Sequence, residues 1–350
     1  MTIRIYNPEF NFQGVVENQT SLIWTRRYFE TGDFELHAPI TPDNLVLLKL
    51  GNIIWKRDAQ EAGVIEEVTL IQNSLQNQII AKGRFLESYM DRRLIRPTFT
   101  FNGKVEVAMR TILSNAVAIP LVQLGTFHDY PETIEFQATY KNLLDYEVKL
   151  SKASNIGFRF KPDFTNKTIT FETYKGLDKT LRQSDRNRVI FSEKFNNITE
   201  ASYMENDQIY KNVCYVGGEG EGSDRVYVTV GDDTLTGLER REVFLSASDV
   251  SSEELTTTEY ENLLKQRGNT LLAEDVFSQV FECSTEANGN FVYKTDYDLG
   301  DIVTVRKTSW GVESDLRITE VTEVYEYGAM VVSPTFGTRL PETIDWEDTV

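Results

Sequence analysis

Along most of the chain, apolar and polar residues alternate with period two, the pattern of half-buried antiparallel strands. In GDFELHAPI, Phe34, Leu36 and Ala38 fall on one face and Glu35 and His37 on the other. VIEEVTLIQ and NQIIAKGRF, separated by NSLQ, predict a hairpin over 63–85. A second is predicted in GFRFKPDFTNKTITFETY, turning near Asn166, and a third in FECSTEANGNFVY, where Asn288-Gly289 tolerates the positive φ of a tight turn. LRITEVTEVYEYGAMVVSPTF reads as two strands joined around Gly328, and NVCYVGG and DRVYVTV as another antiparallel pair. The fold class is mainly β with a few helices.

Three stretches leave that period. VEVAMRTILSNAV puts Val105, Met109, Ile112 and Leu113 on one side of a helix. TYKNLLDYEVKLSKAS gives a stripe of Tyr140, Leu143, Leu144 and Glu147 or Val148. TTTEYENLLKQRGNTLLAEDVF opens with Thr256 and Glu259 at capping-box spacing and carries Tyr260, Leu263, Leu264, Leu271 and Leu272, with Gly268 expected to weaken or bend it. These helices are expected to cover sheets. The chain of 350 residues has room for two to four domains. The boundaries read are 1–97, a β unit ending near Pro97; 98–190, an α+β unit; 191–340, a second β unit with a helical insertion near 238–280; and 341–350, an acidic tail.

Composition narrows the chemistry. No stretch reaches the ~18 apolar residues of a membrane span, and the start, MTIRIYNPEFNF, lacks a signal-peptide pattern. A net charge of −18 opposes binding to nucleic-acid phosphates. Cys214 and Cys283 stand alone, as small core or strand residues, and predict neither zinc site nor disulfide framework. Of the two histidines, His37 lies on the polar face of a strand, and His128 is followed by Asp129 in the loop GTFHDYPETI, where neighbours rarely aim at one reacting atom. Glu66-Glu67, Asp232-Asp233 and Glu253-Glu254 read as solvated charges rather than a glycosidase pair. Asn18-Gln-Thr and Asn197-Ile-Thr match the glycosylation triplet by chance. No catalytic residue, cofactor or metal is expected.

The segment YVGGEGEGSDR is the one glycine-rich stretch. A phosphate cradle needs backbone N–H groups opening a helix, yet a strand follows, and Glu219 and Glu221 repel anions. The acids also miss the spacing of a calcium loop. Gly217, Gly218, Glu219, Gly220, Glu221 and Gly222 are therefore read as a flexible connection with its acids in water, and as a candidate assembly loop.

The run FSEKFNNITEASYMENDQIYKNVCYVGGEGEGSDRVYV, then YDLGDIVTVRK and LRITEVTEVYEYG, together with WTRRYFETGDFELHAPI near the start, resembles the tail-hub proteins of long-tailed phages and prophages over residues 1–340. That resemblance implies tail-tube-like β-barrel units plus peripheral α+β domains. It implies a structural virion protein that forms a homotrimeric, pseudo-sixfold ring at the tail tip, assembled in the bacterial host cytoplasm. Its implied partners are a distal tail protein or tail-tube ring, a tape-measure protein, and a tail fibre or receptor-binding component. The acidic balance then predicts a channel wall along which DNA slides without adhering.

A ring also requires exposed sheet edges or apolar patches. The strands around Tyr203, Tyr210, Tyr215 and Tyr227 are candidates, with ordinary core as the alternative. A carbohydrate-binding adhesin would instead cluster Trp and Tyr, whereas Trp24, Trp55, Trp310 and Trp346 are scattered. A cell-wall hydrolase would need a pocket bringing two acids together.

Overall fold

The computed structural model describes residues 1–337 except 58, 75, 76, 196, 199, 254, 275, 276, 285–289 and 327. The alternating segments form five sheets, the largest of ten strands. Its main path has eight strands, each antiparallel to the next, in the order Glu200–Asn206, Ser278–Ser284, Ala329–Gly337, Val312–Glu326, Ser21–Arg27, Asp33–Pro39, Asn77–Arg84 and Glu67–Gln72. The join between the two ends of the sequence is the pairing of Ser21–Arg27 with Val312–Glu326, from Glu320 opposite Arg27 to Glu326 opposite Ser21. The mainly β expectation holds. The tube-like barrels differ: among the described residues the large sheet is open, because this join makes one continuous sheet of the N-terminal and C-terminal strands instead of two closed rings.

Four apolar cores lie on and around this sheet. Phe34, Leu36 and Ala38 are buried as their alternation requires, with Trp24, Ile79 and Ala81, against the small sheet containing Ile3–Tyr6 and Ile53–Lys56. A second core, around Phe191, Phe281, Val303, Val321 and Phe336, fills the C-terminal half. The third belongs to the peripheral unit of helices α2 (Val105–Asn115) and α3 (Leu143–Ser154), following the short α1 (Pro42–Leu47). The fourth joins α4 (Thr257–Glu274) to the three-stranded sheet Tyr227–Gly231, Val213–Gly217 and Glu242–Ser246.

Local signals mostly resolve as expected. The hairpins Glu67–Gln72 with Asn77–Arg84 and Gly157–Asp163 with Thr168–Tyr174 form, the latter turn held by the Asp163 carboxylate, which accepts from the Thr165 and Asn166 amides. Gly328, at φ 81°, joins the last two strands. At α4 the capping box closes: the Thr256 amide donates to Glu259 Oε2 at 2.8 Å, and the Glu259 amide to Thr256 Oγ1 at 3.3 Å.

Two expectations need correction. The helical stripe begins at Leu143, not Tyr140, which ends up exposed at φ 50° in the strand Thr133–Asn142. That strand pairs with Leu94–Lys104 and shifts register between Thr139 and Lys141, opposite Arg96 and Pro97, so Pro97 lies at a bulge where its missing N–H is harmless. The turn at Asn288-Gly289 lies outside the described residues, but its first arm, Ser278–Ser284, is flanked by Glu200–Asn206 and Ala329–Gly337 instead of a hairpin mate. The tail 341–350 also lies outside the described residues.

Candidate functional surface

Alternation gives the eight-strand path two chemically different faces. One carries the cores. On the other, Arg27, Thr25 and Ser21 line up with Glu320, Thr322 and Glu326, and Asp33 and Glu35 with Arg84 and Lys82. Continuing the register adds Glu67 at one end and Glu282 and Glu200 at the other. Where these eight strands pair with one another, the described residues of this face include seven carboxylates (Asp33, Glu35, Glu67, Glu200, Glu282, Glu320, Glu326) against three cations (Arg27, Lys82, Arg84). Several are tied laterally: Lys82 to Glu35 at 2.9 Å and Arg27 Nε to Glu320 at 2.8 Å. The face is acidic in balance, and the same register also puts Ile23, Ile80, Val324 and Val331 on it.

Among the described residues the path ends in two strands with only one neighbour each. Glu67–Gln72 exposes Leu70 (55%), and Glu200–Asn206 exposes Met204 (42%). Unpaired edges of this kind are templates for further pairing.

Where the two cores meet behind the join, the inward residues are ionic. Arg26, 2% exposed, donates from Nε and Nη2 to Glu61 Oε1 at 3.0 and 2.9 Å, and from Nη1 to Asp298 at 2.6 Å and Tyr293 Oη at 2.8 Å. Lys56 pairs with Glu323, which also receives Lys294 at 3.1 Å and the Tyr325 hydroxyl. Burial raises the Glu323 carboxyl, but the two ammonium groups and the donated hydrogen bonds outweigh it and hold its pKa at about 2. Burial takes Lys56 down to about 8 despite Glu323. Sequence patterning carries no sign of this cluster, because its members are brought together only by the long-range strand pairing.

The glycine loop splits into a fixed base and an open tip. The Gly217 and Gly218 carbonyls accept from Arg225 at 2.9 Å each, so the loop turns oxygens, not N–H groups, toward its cation. That is the reverse of a phosphate cradle. The Glu219 carboxylate accepts from the Ser252 amide and hydroxyl at 3.0 and 2.7 Å, and its own amide donates to Tyr260 Oη at 2.6 Å. Glu219 is thus a tether, not a solvated tip acid. Gly220, Glu221 and Gly222 are exposed.

The fold that carries these features is shared with known proteins. A family model described as siphovirus ReqiPepy6 Gp37-like protein matches residues 2–338. The chain belongs to that family. Among solved structures it is similar to the prophage tail protein gp18 from Listeria monocytogenes, at 11% identity and TM-score 0.58, over 97% of this chain and 95% of that one. It is also similar to the 43 kDa tail protein of prophage MuSo2 from Shewanella oneidensis, at 13% and 0.58, over 96% and 98%. A tail protein from Neisseria meningitidis gives 11% and 0.57, over 96% of each chain. No curated protein matches in sequence. At these identities the shared property is the fold, which this siphovirus-family member holds in common with prophage tail proteins along nearly its whole length.

The other residues singled out by sequence do not converge. His37 Nε2 donates to the Glu35 carboxylate at 2.6 Å on the acidic face, with Nδ1 3.3 Å from Gln78 Oε1. His128 is exposed and stacks on Tyr130, while Asp129 faces Lys104, so the adjacent pair shares no target. Glu66 is bound to Arg84, Asp233 to Arg240, and Asp232 to Thr234, whereas Glu254 lies outside the described residues. Asn197 is buried and holds the Ser192 amide and the Ile190 carbonyl. Both cysteines are buried in strands. Tyr203 is half-buried and packs against the Phe281 core, Tyr210 and Tyr215 are half-buried, and Tyr227 is 56% exposed. Trp24 is buried and Trp310 is 48% exposed, and no ring contact joins them; Trp346 lies outside the described residues. Among the described residues no helix is long and apolar enough to cross a membrane, and no group of three or more His, Cys, Asp or Glu is placed to hold a metal ion.

Proposed function

We propose that this protein is a structural component of a phage tail that forms a trimeric hub ring at the distal tip of the tube. It joins the tube to tip or receptor-binding components and surrounds the DNA channel. The observation that carries this reading is the eight-strand path with a free edge at each end. Pairing Glu67–Gln72 of one copy with Glu200–Asn206 of the next is a head-to-tail contact, and such contacts close into rings when the rotation permits. It would cover Leu70 and Met204 and satisfy both open edges. Each chain would contribute the N-terminal and C-terminal halves of one open sheet, fused by the central join, which gives three copies a pseudo-sixfold outline, with the units of α2–α3 and of α4 at the periphery. The acidic face of the sheet would line the channel, where like charge keeps DNA from adhering. The distal tail protein or tube ring, the tape-measure protein and a fibre or receptor-binding component are the neighbours this position requires, within the virion tail. The role is one of scaffolding, not catalysis.

Electron microscopy of intact tail tips tests the reading. Three copies with strand 67–72 beside strand 200–206 of the neighbour, and the acidic face inward, are expected. A different copy number, or a basic face toward the channel, overturns it.

A further inference from the structure

The peripheral unit carries a further open strand edge, and this one has a groove beside it. The strand Val122–Leu124 pairs in parallel with Thr168–Tyr174 on one side, with the Gly125 amide continuing the ladder to the Phe171 carbonyl at 2.9 Å. On its other side no strand is paired among the described residues. Alongside runs α2, whose outward residues Val107, Arg110, Thr111 and Ser114 recur at i, i+3, i+4 and i+7. With Leu124 and Phe127 these four line an open groove of about 340 Å³.

The groove's chemistry is unusual for a solvated helix face. Leu124 and Phe127 are 41% and 45% exposed. The Thr111 and Ser114 hydroxyls donate to the helix's own carbonyls, those of Val107 and Arg110, at 2.6 and 2.7 Å, so that wall asks little of a ligand in hydrogen bonds. Arg110 donates to the Gly125 and Thr126 carbonyls and lies over the Phe127 ring, which ties the loop to the helix. Among the described residues these Arg110 contacts are all with uncharged groups, and no acid lines the groove.

We propose that the groove between α2 and Val122–Leu124 takes an extended segment of another polypeptide, added as a strand to the open edge. An edge with one free side selects an extended backbone, and an adjoining apolar groove selects side chains at alternate positions. The charge of Arg110 selects a carboxylate on that segment. The proposal rests on the tail-component reading only for which protein supplies the segment; binding itself needs neither ring nor tail.

The test uses the full chain as bait for a displayed library of random peptides. Enriched sequences are expected to alternate apolar residues, include an acid, and slow hydrogen exchange at the Leu124 amide. Ser114→Trp, which fills the groove from an exposed helix position, is expected to weaken them about ten-fold or more. Leu70→Asp, on the edge of the large sheet, is expected to leave them unchanged. Failure to enrich any sequence, or enriched peptides that bind Ser114→Trp as tightly as the native chain, overturns the proposal. Neither result bears on the trimer, which the tail-tip images decide separately.

Discussion

Lys56 and Glu323, 267 positions apart in the sequence, form a buried ion pair behind the join between the two halves of the large sheet. Removing one partner leaves the other charge in the core. Glu323→Leu alone is therefore expected to cost about 3–5 kcal/mol, whereas Lys56→Met with Glu323→Leu should recover most of the loss. Chemical denaturation of the two variants checks this. A double variant as unstable as the single one would mean that Lys294 and Tyr325, not Lys56, are the partners that matter.

The same carboxylate gives an acid signature. Its folded pKa of about 2 lies below the ordinary 4.5, so its contribution is present above about pH 4.5 and is lost as the pH falls through about 2. The gap corresponds to about 3 kcal/mol. Glu323→Gln should flatten this part of the stability profile, read as denaturation midpoints across that range. An unchanged slope would assign the acid sensitivity to other carboxylates.

Glu147 behaves in the opposite sense. It is fully buried on α3 and, among the described residues, neither carboxylate oxygen has a hydrogen-bond partner, so burial raises its pKa well above 4.5. The favourable neutral form is fully available below about pH 4.5, and stability is lost as the pH rises toward the raised value. Glu147→Met should stabilise the protein by about 1–3 kcal/mol at pH 7, and by less at pH 4. Equal gains at both values would show that protonation of this carboxyl is not coupled to folding.

These residues show which parts of the molecule the sequence makes legible. Phe34, Leu36 and Ala38 can be placed because burial of one sheet face writes itself as alternation, and Thr256 with Glu259 because a cap is local. The pairing of Ser21–Arg27 with Val312–Glu326 leaves no local mark, so the open sheet, its two edges and the ionic cluster behind it stay hidden. Tyr140 misleads because a residue just before a helix can complete the helical spacing while its backbone is still in a strand. Glu147 fits the buried stripe by position, but charge argues against burial.

Gly268 looks from sequence like a weak point or bend in α4, and the packing gives it a different role. A Cβ there would lie 2.6 Å from methyl groups of both Val216 and Val230 in the sheet beneath. Alanine gains about 1 kcal/mol of helix propensity, while overpacking costs about 1–3 kcal/mol. Gly268→Ala is therefore expected to lower the melting temperature. An increase would show that the sheet yields and that the glycine serves only chain flexibility.

The loop from Gly217 to Gly222 separates a folding role from an assembly role. A Cβ on Gly218 would sit 2.3 Å from Tyr260 Oη, the acceptor of the Glu219 amide, so Gly218→Ala should destabilise the unit of α4. Excising all six residues would remove the Glu219 tether as well and confuse misfolding with failed assembly. The tip is the cleaner probe: Glu221 is exposed, and a Cβ on Gly222 would meet nothing within 4 Å. Glu221→Lys should leave the melting temperature unchanged and, if the tip meets a neighbouring tail protein, reduce assembled tails and infectious titre in complementation. A normal titre with this reversed charge would leave the segment as a connection between two strands and nothing more.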